Sequence, residues 1–365
     1  MDDIAISFCI TVYNQSDMVK RCIDSIVAYP GNDIEIIVSD DRSTEDIRKL
    51  ADSYRDSRIR YFVNDRNEGH DRNILRALSH AGGKYAFLLR SRDRILADAV
   101  PLMVREAGTG NWSYITGTAL NQDGAVKIRY TRESFAQGAE ALQANYDLFI
   151  HPSGNMYRMK DVDPEALRRF LDEEEVPRNG FIVHSLIRLQ LAAAGDFRLI
   201  REPVWVYADT EEAKDLAVNR STEGVSVYDP SLIEKRYLYE MEWARRILPP
   251  EQYYPVMKTA AALYLDLATW GFKLTNGDKR VRQHYDFRKV RFSVREERKR
   301  FRELCDSLFD EKDGVSRETF RADMDAVFRK NRTKDAVKYA VRAATNGTPL
   351  YHMAARIYKK VFKGL

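Results

Sequence analysis

The sequence predicts an α/β fold: a mixed sheet flanked by helices, followed by a mainly helical C-terminal region. Three observations predict it. Short apolar runs alternate with amphipathic segments over the first hundred residues. Clusters of Asp, Asn, Ser and Gly punctuate each change. Beyond about residue 227 the helical period takes over, without a repeat or a low-complexity tract.

Ile4 to Val12 reads as a buried strand, and the polar turn Tyr13-Asn14-Gln15-Ser16-Asp17 follows. Met18, Cys22 and Ile26 share one face of the next helix, with Ser16 or Asp17 expected as its N-cap. Pro30-Gly31-Asn32-Asp33 ends it. Ile34 to Val38 is a second strand running into Ser39-Asp40-Asp41, and Ser43 or Thr44 is expected to cap a helix carrying Ile47 and Leu50. Arg58 to Val63 is a third strand, Asn73 to Leu78 a helix, and Tyr85 to Leu89 a fourth strand ending at Arg90-Ser91-Arg92-Asp93. Repeated strand–helix–strand units imply a parallel sheet, whose ligands bind at the carboxyl ends of the strands. Tyr13, Asp40, Asp41 and Arg90 to Asp93 all fall there. Trp112 to Thr116 and Ala125 to Tyr130 then read as antiparallel strands around Gln122-Asp123-Gly124. A helix is expected over Phe181 to Ala194, stopped by Gly195, and a strand over Phe197 to Tyr207, interrupted by Pro203. Residues 208–226 read as a mobile polar loop.

Composition is that of an ordinary globular protein, with 44% hydrophobic and 31% charged residues in 365. No apolar run is long enough to cross a bilayer. The acidic start Met1-Asp2-Asp3-Ile4 is unlike a secretory signal, so a cytoplasmic protein is expected. Cys9, Cys22 and Cys305 form no zinc pattern and suggest reduced, buried thiols. The formal charge of +4 divides unevenly, with a net +12 in residues 271–365 and −8 before them. Residues 332–365 carry eight Lys/Arg against Asp335 alone. There Leu350, Met353, Ile357, Val361 and Leu365 recur at helical spacing, away from His352, Arg356, Lys359, Lys360 and Lys363. Such a basic amphipathic helix suits the anionic inner membrane surface; packing on the body or a partner is the other reading. Nucleic acid is not expected as a partner, because no recognised binding module accompanies the charge.

Five strings occur in order: Ile10-Thr11-Val12-Tyr13-Asn14; Ile36 to Thr44; Asn67-Glu68-Gly69 with Arg72-Asn73; Gly83-Lys84-Tyr85 before the turn at Arg90; and Glu202 to Tyr207. In these the chain resembles the family-2 glycosyltransferases, inverting enzymes of the GT-A fold, over roughly residues 4–207. It is most similar to the branch that builds bacterial surface polysaccharides, including abequosyltransferase-like members. The resemblance implies a Rossmann-like GT-A domain over 1–226, with a nucleotide-binding part (about 1–100) and an acceptor part (about 101–226). Residues 227–365 then form the helical basic region.

The resemblance also assigns roles. Thr11, Tyr13, Asn14, Asp40, Asp41, Arg72, Arg90, Arg92 and Arg220 would bind the nucleotide sugar, a donor of UDP type. Asp40 would accept the base N3–H, Asp41 a ribose hydroxyl, and Tyr13 would stack on the base. The plain alternatives are a helix-start carboxylate pair and, for Arg72, a surface helix arginine. His151, Ser153, Gly154 and Asn155 would contact a glycan or lipid-linked glycan acceptor, Gly154 by close backbone approach; an ordinary loop-to-strand transition is the alternative.

Where the family has an Asp-x-Asp turn holding a divalent ion, this chain has Arg90-Ser91-Arg92-Asp93. One carboxylate beside two guanidinium groups makes a poor Mg2+ or Mn2+ site, with Asp93 the sole candidate ligand. Three readings stay open: arginines replace the metal; catalysis is lost, leaving a non-catalytic sugar-nucleotide or glycan-binding subunit; or the turn is a solvated loop. His184 falls near the family's catalytic aspartate and is expected as the base, together with Asp93 as a candidate catalytic residue. A helix histidine bonded to a carboxylate is the bland alternative, and Asp172 to Glu175 is an acidic run that also suits a solvated face. A dinucleotide-dependent oxidoreductase is disfavoured, because Val12 to Asp17 contains no glycine.

Overall fold

A computed structural model describes residues 4–148, 151–178, 180–208, 230–277 and 293–345. The chain divides into two units, one of Met1–Val227 with Leu238–Gln252, the other of Tyr228–Tyr237 with Tyr253–Leu365.

The first unit contains the sheet. Its first half runs β1 (Ile6–Val12), α1 (Ser16–Val27), β2 (Ile34–Asp40), α2 (Ile47–Ser53), β3 (Ile59–Val63), α3 (His70–Ser79) and β4 (Tyr85–Arg90). The second half runs β5 (Arg94–Ile95), α4 (Ala99–Gly108), β6 (Tyr114–Asn121), β7 (Val126–Ile128), β8 (Ser134–Phe135), α5 (Ala139–Asp147), β9 (Asn155–Arg158), α6 (Pro164–Glu173), α7 (Val183–Ala194) and β10 (Phe197–Tyr207). The strand order is β3-β2-β1-β4-β9-β6-β10-β5, with β7 beside β6 and β8 beside β10. β3, β2, β1 and β4 are parallel, and β9 enters antiparallel between β4 and β6. This is the mixed, helix-flanked sheet expected from the sequence. Every residue of β1 and β2 is buried, as expected for central strands covered on both faces. β10 keeps to β6 through register shifts around Pro203, which has no N–H to give the ladder.

Three expectations about helix ends are corrected. α1 is preceded by Gln15 in the left-handed region (φ 66°), without a side-chain cap, so neither Ser16 nor Asp17 caps it. Asp46 caps α2 by accepting from Lys49 N; Ser43 instead donates to Asp40. α7 starts at Val183, because Phe181 has φ +54° and cannot belong to a helix.

The described residues of the second unit are mainly helical. Helices α8 (Pro230–Ile247), α9 (Pro250–Gly277), α10 (Val294–Leu308) and α11 (Arg317–Thr345) follow in sequence, and α8 runs through both units. Phe301, Cys305, Phe320, Met324 and Phe328 are buried in the second unit, and Tyr237 packs on Phe301 at 5.1 Å. Within the first unit, Trp243 of α8 meets Phe170 edge-on and Arg246 pairs with Glu173 and Glu174. The acidic run of α6 is therefore partly an ion-pair surface. All three cysteines are buried free thiols.

Candidate functional site

Parallel register brings the strand-end residues together. Val12 pairs with Asp40 and Thr11 with Arg90, so Tyr13, Asp41 and the turn after Arg90 share one carboxyl edge. Tyr13 is 51% exposed, an open aromatic face at that edge. Thr11 is buried. The loops after β1 and β2 are stitched together: Asn14 Oδ1 accepts from Thr44 N (2.8 Å), while Asn14 N donates to Ser43 Oγ (2.7 Å). Asn14 thus shapes the site wall through its left-handed backbone (φ 57°), with its side-chain oxygen already engaged.

The two aspartates differ in their freedom. Asp40 accepts from Ser43 N, Ser43 Oγ and Tyr61 Oη, and the two hydroxyls can rotate away. Asp41 accepts from Asn64 Nδ2, Glu68 N and Gly69 N at 2.7–2.9 Å. Burial outweighs those bonds and pushes its pKa up. Asp41 therefore braces the Glu68–Gly69 turn. Arg72 donates to Asp172 Oδ1 (2.7 Å) and to carbonyls of Leu171 and Val176, tying α3 to the end of α6.

At the charge-reversed turn, both oxygens of Asp93 are occupied. Arg90 Nε donates to Oδ2 at 2.8 Å and Nη2 to Oδ1 at 3.2 Å. Ser153 Oγ donates to Oδ2 at 2.5 Å and Ala208 N to Oδ1 at 2.9 Å. Burial alone would raise the pKa of Asp93, but the Arg90 charge and these bonds hold it at about 2. A divalent ion does not fit here. It would need carboxylate oxygens that four donors already hold, and the described residues contain no group of three or more His, Cys, Asp or Glu suited to a metal. Asp93 thus anchors Arg90 and the end of β10.

Arg92 is different. Among the described residues it makes no hydrogen bond or ion pair, although it is half-buried. Burial, then the Arg90 charge, pushes its pKa down to about 10, which leaves it charged at neutral pH. Tyr207 marks the centre of this charge: Arg90 lies 5.7 Å from its ring centroid and Lys127 Nζ lies 4.8 Å away. Arg90 and Lys127 thus flank Tyr207, and Arg90 and Arg92 belong to the turn that holds the single carboxylate Asp93.

The loop before β9 serves as scaffold. Ser153 accepts from Arg90 N (2.9 Å) while donating to Asp93. Asn155 accepts from Tyr114 Oη (2.5 Å) and donates to the His151 and Pro152 carbonyls. Gly154 has φ +80°, and a Cβ there would stand 2.2 Å from Trp205 Nε1. The close approach at Gly154 is made by Trp205, and Ser153 and Asn155 pin the loop. Gly154→Ala is expected to cost about 2 kcal/mol or more, read as a lower urea midpoint. His151 stacks on Trp205 (5.1 Å, 21°) and meets Tyr207 edge-on (5.1 Å). Burial, then Arg90, pushes its pKa well below the ordinary histidine value, so it is a neutral ring whose Nδ1 accepts from Ser153 N. His184 is the second residue of α7 and is buried. Arg220 and residues 346–365, with the apolar stripe of the tail, lie outside the described residues.

Lys127, Trp205 and Tyr207 were not singled out as site residues from the sequence. Alternation along β10 puts Trp205 and Tyr207 on one face, a signal that could have found them. Nothing local marks Lys127.

A mixed sheet flanked by helices, with a parallel half joined to an antiparallel half, is the GT-A-like architecture. Residues 7–165 match the family model described as Glycosyl transferase family 2, and this segment is a family-2 glycosyltransferase domain. The chain is similar to the GalNAc(5)-diNAcBac-PP-undecaprenol beta-1,3-glucosyltransferase of Campylobacter jejuni, 25% identical over 46% of this chain and 55% of that protein. It is also similar to abequosyltransferase RfbV of Salmonella typhimurium, 34% identical over 27% of this chain and 31% of that one. The chain thus spans about half or less of the length of these curated relatives. In fold it is similar to S. aureus TarS 1–349, solved in complex with UDP-GlcNAc, at 15% identity, 91% coverage of both chains and a TM-score of 0.56.

Proposed function

We propose that this protein transfers a sugar from a nucleoside diphosphate donor, of UDP type, to a glycan or lipid-linked glycan acceptor, with inversion at the anomeric carbon. Tyr13 stacks on the base and Asp40 accepts its N–H by releasing a hydroxyl partner. Arg92, with Lys127, neutralises the leaving diphosphate in place of a metal, while Asp93 holds Arg90 and the β10 end in position. His184 takes the acceptor proton as its oxygen attacks. The observation that carries the reading is Arg92: a half-buried cation without a partner among the described residues, at the strand-end turn, beside a carboxylate whose oxygens are already occupied. The family-2 domain and the named activities of the relatives support the reaction class. Incubation with a panel of nucleotide sugars and lipid-linked acceptors, with and without EDTA, tests it by nucleoside diphosphate release. Tight donor binding without turnover across the panel would favour a non-catalytic binding subunit.

The basic C-terminal segment is proposed to dock the protein on the cytoplasmic membrane face. No helix among the described residues is long and apolar enough to cross a membrane. Removal of residues 332–365 is expected to abolish sedimentation with anionic liposomes at low salt; unchanged sedimentation would refute the docking.

A further inference from the structure

The first turn of α7 is capped from far away in sequence. Asp71, the second residue of α3, is fully buried, and its carboxylate accepts from Ile182 N (3.1 and 3.2 Å to its two oxygens) and Val183 N (3.3 Å). These N–H groups have no partner within a helix, and Ile182, at the N-cap position, makes no side-chain cap bond. The chain leading into them is strained: Phe181 has φ +54°, costly for an aromatic residue and sustained only where the surroundings over-determine it. The Phe181 ring sits 4.9 Å from His70, and His70 Nδ1 lies 3.4 Å from Asp71 Oδ1. Gly180 completes the fit, since a Cβ there would stand 3.0 Å from Asp71 Oδ2 and 2.7 Å from Val176 Cγ1. His184 follows within the same turn, as the second residue of α7, and is buried.

We propose that Asp71, assisted by His70, is a positioning residue of the transferase: a remote latch that holds the strained start of α7 and so places His184, the second residue of that helix. This rests on the reading of His184 as the base. Asp71 grips the α7 backbone, so its removal acts through the position of the helix start, and a misplaced catalytic group costs about tenfold or more in rate.

The full chain tests it with Asp71→Asn, which keeps the shape but turns a donor toward the Ile182 and Val183 N–H groups. Gly180→Ala is the second variant, leaving the carboxylate in place but crowding it. Both are expected to lower kcat about tenfold while donor KM stays within about twofold. Both are also expected to shift the His184 imidazole resonances in histidine-labelled protein, which a remote loss of stability would not do. Wild-type kcat with unmoved His184 resonances in both variants would overturn the latch. His184→Gln separates the two ideas. If it turns over like wild type, the base assignment fails, and the resonances alone decide the latch: a shift supports it and no shift overturns it.

Discussion

Replacing Arg92 by alanine is expected to lower kcat/KM for the nucleotide sugar about a hundredfold, from loss of a charge-assisted contact to the departing diphosphate. Folding stability should stay within about 0.5 kcal/mol, because Arg92 makes no bond among the described residues that the fold would lose. Turnover by the unmodified protein should survive EDTA, since the oxygens of Asp93 are already held by Arg90, Ser153 and Ala208. Arg92→Lys should recover only part of the rate, because an ammonium lacks the planar fork that grips two phosphate oxygens. Strict dependence on a divalent ion, or an Arg92→Ala variant with unchanged kcat/KM, would sink metal replacement.

Asp93→Asn should behave in the opposite way. The amide keeps the volume but puts an N–H group against the Arg90, Ser153 and Ala208 donors and leaves the Arg90 charge without its partner. A loss of about 3 kcal/mol or more is expected, as for other buried pairs broken on one side, read from the urea midpoint at neutral pH. The sign of the pH dependence follows from the direction of the shift. Asp93 is held at about 2 in the folded protein, below its ordinary 3.8, so its contribution is complete above pH 4. That contribution, about 2 kcal/mol, drains away as pH falls toward 2. The Asn variant should lack this acid-sensitive step. A midpoint within about 0.5 kcal/mol of wild type would show that Asp93 does not anchor the turn.

Much of the fold was legible because the information is local. Apolar runs with turn residues between them identify β1, β2 and β4, whose burial on both faces leaves no choice of pattern. The Phe197–Tyr207 strand and its break at Pro203 were legible for the same reason. Helix starts were less so. Ser16 and Ser43 have the right chemistry for caps, but Glu45 and Asp40 compete for their neighbourhoods across the β1–β2 loops. The α7 start was misjudged by two residues, because its cap comes from Asp71.

The candidate site divides along the same line. By itself the sequence determined the α/β class, the family resemblance, the strand-end location of Tyr13, Asp40 and Arg90, and the reversal of charge at the turn. These depend on residue type and on spacing along one strand or one loop. Only the tertiary structure decided which charged groups are free. Asp93 is consumed by Ser153 and Ala208, 60 and 115 positions away, Asp41 by the Glu68–Gly69 turn, and Arg72 by Asp172. Arg92, next to a carboxylate in sequence, is the group left without such a partner among the described residues. A side chain's availability is set by what the fold brings to it, and hydrogen-bond partners so distant in the chain leave no mark in the local pattern.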